Sequence, residues 1–314
     1  MRAVTIVGGR IEIREHADPV AGTGEVLVRV VAAGLNGADL HQLAGRYPPP
    51  ADGTPADIPG LELAGVVIAV GPNATRFSPG DRVMALVAGG GQAELCTVHE
   101  RVAMAVPDGL PWPEAGGFPE VFSTADDALF TQCRLALGER LLVHGAAGGV
   151  GTAAVQLGVA AGARVTATVR NPALREAVAG FGATVVAPED FVAEGPFDVV
   201  LELVGAPNMA DDVAALAVNG RIVVIGMGGG TTVADFDIAL LMARRGTIRS
   251  STLRSRPLEE KAMVARAVEA AVVPHLASGR VRVPVAATYP LDDAVDAYER
   301  FRAGGKLGKI VLTM

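Results

Sequence analysis

The chain has 314 residues, half of them hydrophobic and 19% charged, with a formal net charge of −7. That length and apolar content suit two domains with large buried cores. The acidic balance argues against a general nucleic-acid or anionic-membrane binder, since both need a basic face. No apolar run reaches the roughly 20 residues of a membrane span, no signal peptide is evident, and the expected location is cytoplasmic.

Residues 1–118 read mainly as strands. Arg10–Glu15 and Glu25–Val30 alternate with period two, and Leu63–Val70 is a continuous apolar run closed by Gly71-Pro72-Asn73. Pro79-Gly80-Asp81 makes a turn before Arg82–Val87. Tyr47 to Gly60 is too proline-rich for regular structure. A small β-barrel carrying long loops is expected.

From residue 119 helices and strands alternate. A helix is expected from Pro119 to Leu137, with Phe122, Ala125, Leu129 and Cys133 on one face and Asp126-Asp127 on a solvated one. Strands follow at 141–143, 164–169, 184–186, 197–203, 221–225 and 247–253, with helices after the first and second. This is the pattern of a doubly wound parallel sheet. A long helix after Pro257 should bend at Pro274. Asp292–Ala303 should be a helix with Val295, Tyr298 and Phe301 inward, and Lys309–Leu312 a last strand. The fold class is therefore α/β. The expected division is 1–118 with 254–314 as one discontinuous domain and 119–253 as the other.

The strand Leu141–Val143 runs into His144-Gly145-Ala146-Ala147-Gly148-Gly149-Val150-Gly151 and a helix. Glycines without Cβ let backbone approach a pyrophosphate, and the helix N-terminus adds unpaired N–H groups. Ala146 stands at the first position of G-x-G-x-x-G, so the fingerprint is partial. At the end of the next strand an acidic residue would bind a ribose 2′-hydroxyl. Arg170 stands there instead, with Asn171 beside it and Arg175 a turn on. Guanidinium groups there suit a 2′-phosphate, and NADPH is expected over NADH. Asn171-Pro172 also reads as a helix cap. Glycine turns after two later strands, Val204-Gly205-Ala206 and Gly226 to Gly230, are expected near the nicotinamide half, beyond the carboxyl ends of the strands.

Metal chemistry is not expected. Two cysteines, Cys96 and Cys133, make neither a disulfide framework nor a cysteine-rich zinc site. The five histidines are scattered, and the one short-spaced pair, Cys96 and His99, reads as structural.

In combination, Ala33-Gly34-Leu35-Asn36-Gly37-Ala38-Asp39-Leu40, Gly45-Arg46-Tyr47-Pro48-Pro49-Pro50, Pro59 to Gly65, the glycine turn and Gly305 to Leu312 carry a further signal. On these segments the chain resembles the medium-chain dehydrogenase/reductase superfamily, in its zinc-independent, zeta-crystallin-like quinone oxidoreductase branch. The likeness covers essentially the whole chain. Residues 88–94, Met227 to Gly230 and Leu253 to Arg256 are similar to the tumour-suppressor-inducible subgroup. Zinc-dependent members have cysteine where this chain has Asn36, and Gly-His-Glu where it has Gly60-Leu61-Glu62.

The resemblance implies a GroES-like catalytic domain and a Rossmann domain with NADPH in the cleft. It implies Asn36 and Tyr47 at the substrate end and Thr124 near the nicotinamide. Ala147, Gly148, Gly149, Val150 and Gly151 would hold the pyrophosphate, and Arg170, Asn171 and Arg175 the 2′-phosphate. Val204, Gly226, Met227, Gly228, Ser251, Thr252 and Lys309 would line the cofactor. The tyrosine that the subgroup places near the adenine ribose is missing from 185–190. The implied activity is metal-independent hydride transfer from NADPH to a quinone, in a homodimer. Reducing a quinone gives a delocalised phenolate that needs no Lewis acid, unlike the alkoxide of a simple ketone. An enoyl or 2-alkenal reductase uses the same geometry, and a low-turnover NADPH-binding structural or regulatory protein is the third reading.

Overall fold

The strand Glu25–Gly34 is where the first part of the chain is built. Its early residues alternate in burial, and the closing Ala32, Ala33 and Gly34 are buried throughout. Glu62–Val70 pairs antiparallel along one edge. On the other edge Leu95–His99 pairs with the first half and Lys309–Thr313 with the end. Val285–Pro290 lies parallel beyond Lys309–Thr313, and Arg82–Leu86 and Ala103–Ala105 extend the opposite side to seven strands. Val26, Val28, Val30, Leu63, Val67, Val83 and Val98 fill the interior of this sheet. These relations come from a computed structural model that describes residues 1–47, 54–234 and 236–314. The proline run at 48–50 of the 45–50 segment lies outside the described residues.

The chain divides into two compact units, Met1–Ser123 with Leu253–Met314, and Thr124–Thr252. Besides its sheet, the first contains the ribbon Arg2–Val7 and Arg10–Glu15 and the helix Gly37–Leu43. Near its end, Leu258–Ala271 and Val273–Ala277 are separate helices joined at Val272, with Pro274 in the first turn of the second. The last helix is Ala294–Ala303, entered through a 3₁₀ turn at Leu291–Asp293. Val295, expected inward, is 46% exposed, whereas Leu291, Ala294, Ala297 and Tyr298 are buried. The inward stripe runs through Leu291 and Ala294, and one residue further on is about 100° round the helix.

The second unit is a six-stranded sheet, parallel throughout. Across it lie Thr184–Val186, Arg164–Thr168, Arg140–Val143, Phe197–Glu202, Leu216–Val224 and Thr247–Ser250. In chain order that is third, second, first, fourth, fifth, sixth, the dinucleotide-binding order, which reverses between Arg140–Val143 and Phe197–Glu202. The cores of these two central strands are apolar, because a parallel sheet is buried on both faces. Thr247–Ser250 is an edge.

The helix begun at Pro119 stops short of Leu137. Pro119–Asp126 passes into a π-helical turn, Asp127–Gln132, and Arg134 has a positive φ of 50°. Asp126 and Asp127 are buried, not solvated. Asp127 accepts hydrogen bonds from Ser251 Oγ at 2.7 Å and Gln132 Nε2 at 3.2 Å. Burial, with Asp127 adjacent, pushes the Asp126 carboxyl up to about 6. The short helices Met209–Ala214 and Ile238–Arg244 have no clear sequence pattern. No helix among the described residues is long and apolar enough to cross a membrane.

Gly65 shows how tightly the first sheet is set: a Cβ there would lie 2.2 Å from Arg29 O on the paired strand. Gly65→Ala should cost about 1–3 kcal/mol through overpacking, read as a lower urea midpoint with the slope unchanged.

Candidate active site

In the second unit, Gly148 caps the helix Gly149–Ala160 in an extended conformation (φ −75°, ψ 174°). Gly145 turns the chain with φ 62°, and Gly148 N donates to Gly145 O at 3.0 Å. A Cβ on Gly151 would come within 2.4 Å of Gly145 O and 2.6 Å of Ala146 Cα, so only glycine lets the helix lie this close to the turn. Ala146 is wholly buried, which explains a small apolar residue at the first fingerprint position. Ala147, Gly148, Gly149 and Val150 stay half-buried. The turn thus sits where the strand order reverses, with its helix end available to an anion.

At the neighbouring strand end Arg170 is exposed. Asn171 uses its side-chain oxygen to cap Ala173 N at 3.1 Å, the structural role its Asn-Pro context predicts. Arg175 Nε donates to Val169 O at 3.1 Å, which ties this guanidinium to the strand end. The two later glycine turns are hydrogen-bonded to each other: Gly229 N donates to Val204 O at 2.8 Å and Ala206 N to Gly230 O at 3.0 Å. Gly226 must lack a Cβ, since one would stand 2.0 Å from Leu203 O. Met227 and Gly228 are exposed, Ser251 is half-buried and Thr252 exposed. Thr124, at the start of this unit, is 7% exposed.

Sequence reasoning missed one cluster in this unit. His144, Glu202 and Asp212 are fully buried, with possible ligand atoms within 4.8 Å of one another. They are 58 and 10 residues apart in sequence, so no local spacing could reveal them.

In the first unit Lys309 is 2% exposed and surrounded by acceptors. Its Nζ donates to Asn36 Oδ1 at 2.6 Å and Leu35 O at 2.7 Å, and lies 2.6 Å from Glu62 Oε1. Asn36 Nδ2 donates to Glu62 Oε1 at 3.0 Å, with Gly34 O farther off at 3.4 Å. An ammonium only donates and a carboxylate only accepts, so the two partners fix which way the amide faces. Glu120 N donates to Glu62 Oε2 at 2.8 Å. Asp39 accepts from Asn36 N at 2.8 Å, Gly60 N at 3.3 Å and Gln92 Nε2 at 3.2 Å, and Tyr298 Oη donates to Gln92 Oε1 at 2.8 Å. Burial pushes the Asp39 carboxyl up to about 6, against these hydrogen bonds. Neither Glu62 nor this network was foreseen as chemically important. The signal present was Glu62 on an otherwise apolar strand.

Tyr47 is half-buried, and the Arg254 guanidinium carbon lies 4.5 Å from its ring centroid. Burial raises the phenol's pKa, with Arg254 opposing. Arg254 Nε donates to Ala88 O at 2.6 Å. The Cys96–His99 pair lies on one strand three residues apart, so the two side chains point to opposite faces; Cys96 belongs to the sheet's apolar interior.

Residues 22–133 match the alcohol dehydrogenase GroES-like domain family, and residues 181–312 match the zinc-binding dehydrogenase family. The quinone oxidoreductase of Homo sapiens is 30% identical across all of this chain and 98% of its own. A phenolphthiocerol/phthiocerol polyketide synthase component of Mycobacterium tuberculosis is 33% identical over 92% of this chain but only 14% of its own. A mycobacterial protein solved as a complex with NADPH superimposes with a TM-score of 0.89, at 28% identity and full coverage of both chains. The quinone oxidoreductase of Pseudomonas syringae pv. tomato gives 0.86 at 26% identity, covering 100% of this chain and 99% of its own.

Two outcomes follow from the buried charges. Lys309→Met strands Glu62, which is 0% exposed, and should cost about 3–5 kcal/mol; adding Glu62→Gln should recover most of it. Urea titrations of the single and double variants measure this. Asp39 holds its proton more tightly folded than unfolded. Its contribution is complete below the unfolded value near 3.8 and lost as pH rises through about 6. Asp39→Asn should flatten that part of the stability–pH curve, read as thermal midpoints between pH 4 and 7.

Proposed function

Starting from the chain's membership of the medium-chain dehydrogenase/reductase superfamily, as an oxidoreductase of the quinone oxidoreductase type, we propose that it reduces quinones with NADPH and without a metal ion. The observation that carries the metal-free reading is the Lys309 ammonium, 2.6 Å from both Asn36 Oδ1 and Glu62 Oε1. The positions at which zinc-dependent members place cysteine and histidine hold an amide and Leu61 here. A cation fixed in covalent chemistry already neutralises the buried carboxylate beside them.

The cofactor assignment rests on the second unit. Ala147 to Gly151 would take the pyrophosphate at the helix N-terminus. Arg170 and Arg175 would take the 2′-phosphate, with Asn171 shaping the turn between them. Val204, Gly226, Met227, Gly228, Ser251 and Thr252 would line the nicotinamide half, with Thr124 beside them. Bound in its reduced form, the nicotinamide supplies a hydride.

The first unit would serve the acceptor. Lys309 draws electron density from the Asn36 carbonyl and strengthens Nδ2 as a donor. One Nδ2 hydrogen is held by Glu62 Oε1; the other, toward Gly34 O at 3.4 Å from Nδ2, would turn to the carbonyl oxygen on which negative charge develops. Tyr47, its pKa raised by burial, keeps its proton and offers a second donor. With the hydride's electron pair moved onto oxygen, Tyr47 or water delivers the proton. The second acceptor class is an α,β-unsaturated carbonyl, which would use the same geometry. We also propose a homodimer formed through the exposed edge Thr247–Ser250, and a cytoplasmic location.

NADPH oxidation with matched panels of 1,2- and 1,4-quinones, alkenals and enoyl thioesters tests the acceptor. The largest kcat/KM should fall among the quinones, and no turnover with any class would refute the reading. Arg170→Ala should lower the NADPH-over-NADH ratio of kcat/KM about 10-fold or more, the worth of a charge-assisted hydrogen bond. An unchanged ratio would remove Arg170 from the 2′-phosphate site. Light scattering should give twice the chain mass.

A further inference from the structure

His144 is fully buried immediately before the glycine turn, and both ring nitrogens are engaged. Nδ1 lies 3.0 Å from Thr168 Oγ1, and Nε2 lies 2.8 Å from Asp212 Oδ1. Glu202 Oε2 is 3.9 Å from Nε2, and Phe191 packs edge-on at 4.7 Å between ring centroids. Each partner comes from a different element. Thr168 closes the second strand of the sheet, two residues before Arg170. Glu202 closes the fourth, and Asp212 lies in the helix Met209–Ala214.

Glu202 in turn fixes the turn that follows it. Its Oε1 accepts from Val204 N and from Gly205 N at 2.7 Å, and its Oε2 from Asn208 Nδ2 at 2.9 Å. One imidazole is therefore in contact with groups that set three strand ends, those leading to the glycine turn, to Arg170 and to Val204-Gly205. A core histidine kept only for packing would not need two polar partners on two elements beside a buried carboxylate. Of the four carboxylate oxygens, both of Glu202 and Oδ1 of Asp212 accept hydrogen bonds, while Asp212 Oδ2 is buried without a partner.

We infer that His144 is a positioning residue for the cofactor, holding the three loops around NADPH in register through Thr168, Asp212 and Glu202. The inference rests on the NADPH reading above. Within it, the Thr168 arm has a distinct task. Thr168 holds the strand end that leads to Arg170, so it bears on the 2′-phosphate and not on the parts that NADPH and NADH share.

The test is fluorescence titration of NADPH and NADH, with KM for 1,4-benzoquinone, on wild type, His144→Ala, His144→Gln and Thr168→Val. His144→Ala should weaken both nucleotides at least ten-fold while the quinone KM stays within two-fold. His144→Gln, whose amide can still donate toward Asp212, should recover most of that loss. Thr168→Val should weaken NADPH several-fold and leave NADH unchanged. If His144→Ala does not fold by circular dichroism, the other two variants carry the test. The inference is overturned if the folded variants bind both nucleotides as wild type does. It is equally overturned if nucleotide and quinone constants shift together, as a general loosening would produce. A wild type that bound neither nucleotide would overturn the NADPH reading itself, and this inference with it.

Discussion

A lysine ammonium at 2% exposure is the constraint around which the first unit is arranged. Removing such a charge from water carries a penalty of several kcal/mol, offset only where acceptors surround it in good geometry. Lys309 meets that condition through Glu62, Asn36 and the carbonyl of Leu35. The partners come from separated parts of the chain but from neighbouring strands. Lys309 opens the strand paired to the end of Glu25–Gly34, Glu62 opens the strand on its other edge, and Asn36 follows two residues beyond it. The register of three strands therefore sets the site. The chain's return at Lys309–Thr313 is as much a part of this buried network as Asn36.

The second unit reaches its site by sheet order. Strands that run in chain order outward in both directions from the middle leave a reversal between Arg140–Val143 and Phe197–Glu202, and the glycine turn is there. Backbone crowding completes it: Gly151 and Gly226 stand where any Cβ would meet main chain at 2.4 and 2.0 Å. Beneath the turns, His144 links side chains from strands that have no sequence relation to one another.

What could be read from the sequence was what is local. Period-two runs, apolar strands and the glycine turn are short-range patterns, and the strands they mark form with ends shifted by a few residues. Asp126-Asp127 misleads because charge in a sequence signals solvent unless distant partners are known. The aspartates are buried, and Asp127 is hydrogen-bonded to Ser251, 124 positions away. Val295 fails for a different reason: Tyr298 and Phe301 do face inward, but the residue one turn before Tyr298 that joins them is Ala294, and Val295 falls outside that stripe. From the sequence, Lys309 stands out only through the resemblance, as a cofactor-lining residue. Its pairing with Asn36, 273 positions earlier, is set by strand register, which no spacing encodes.

In the proposed reaction this buried ammonium and amide steady the developing charge with no metal ion needed. The most direct measurement is NADPH-dependent benzoquinone turnover by protein exhaustively treated with a chelator, with zinc content determined on the same sample. An unchanged kcat is expected at zinc far below one atom per chain. Activity abolished by the chelator and restored by stoichiometric zinc would contradict it.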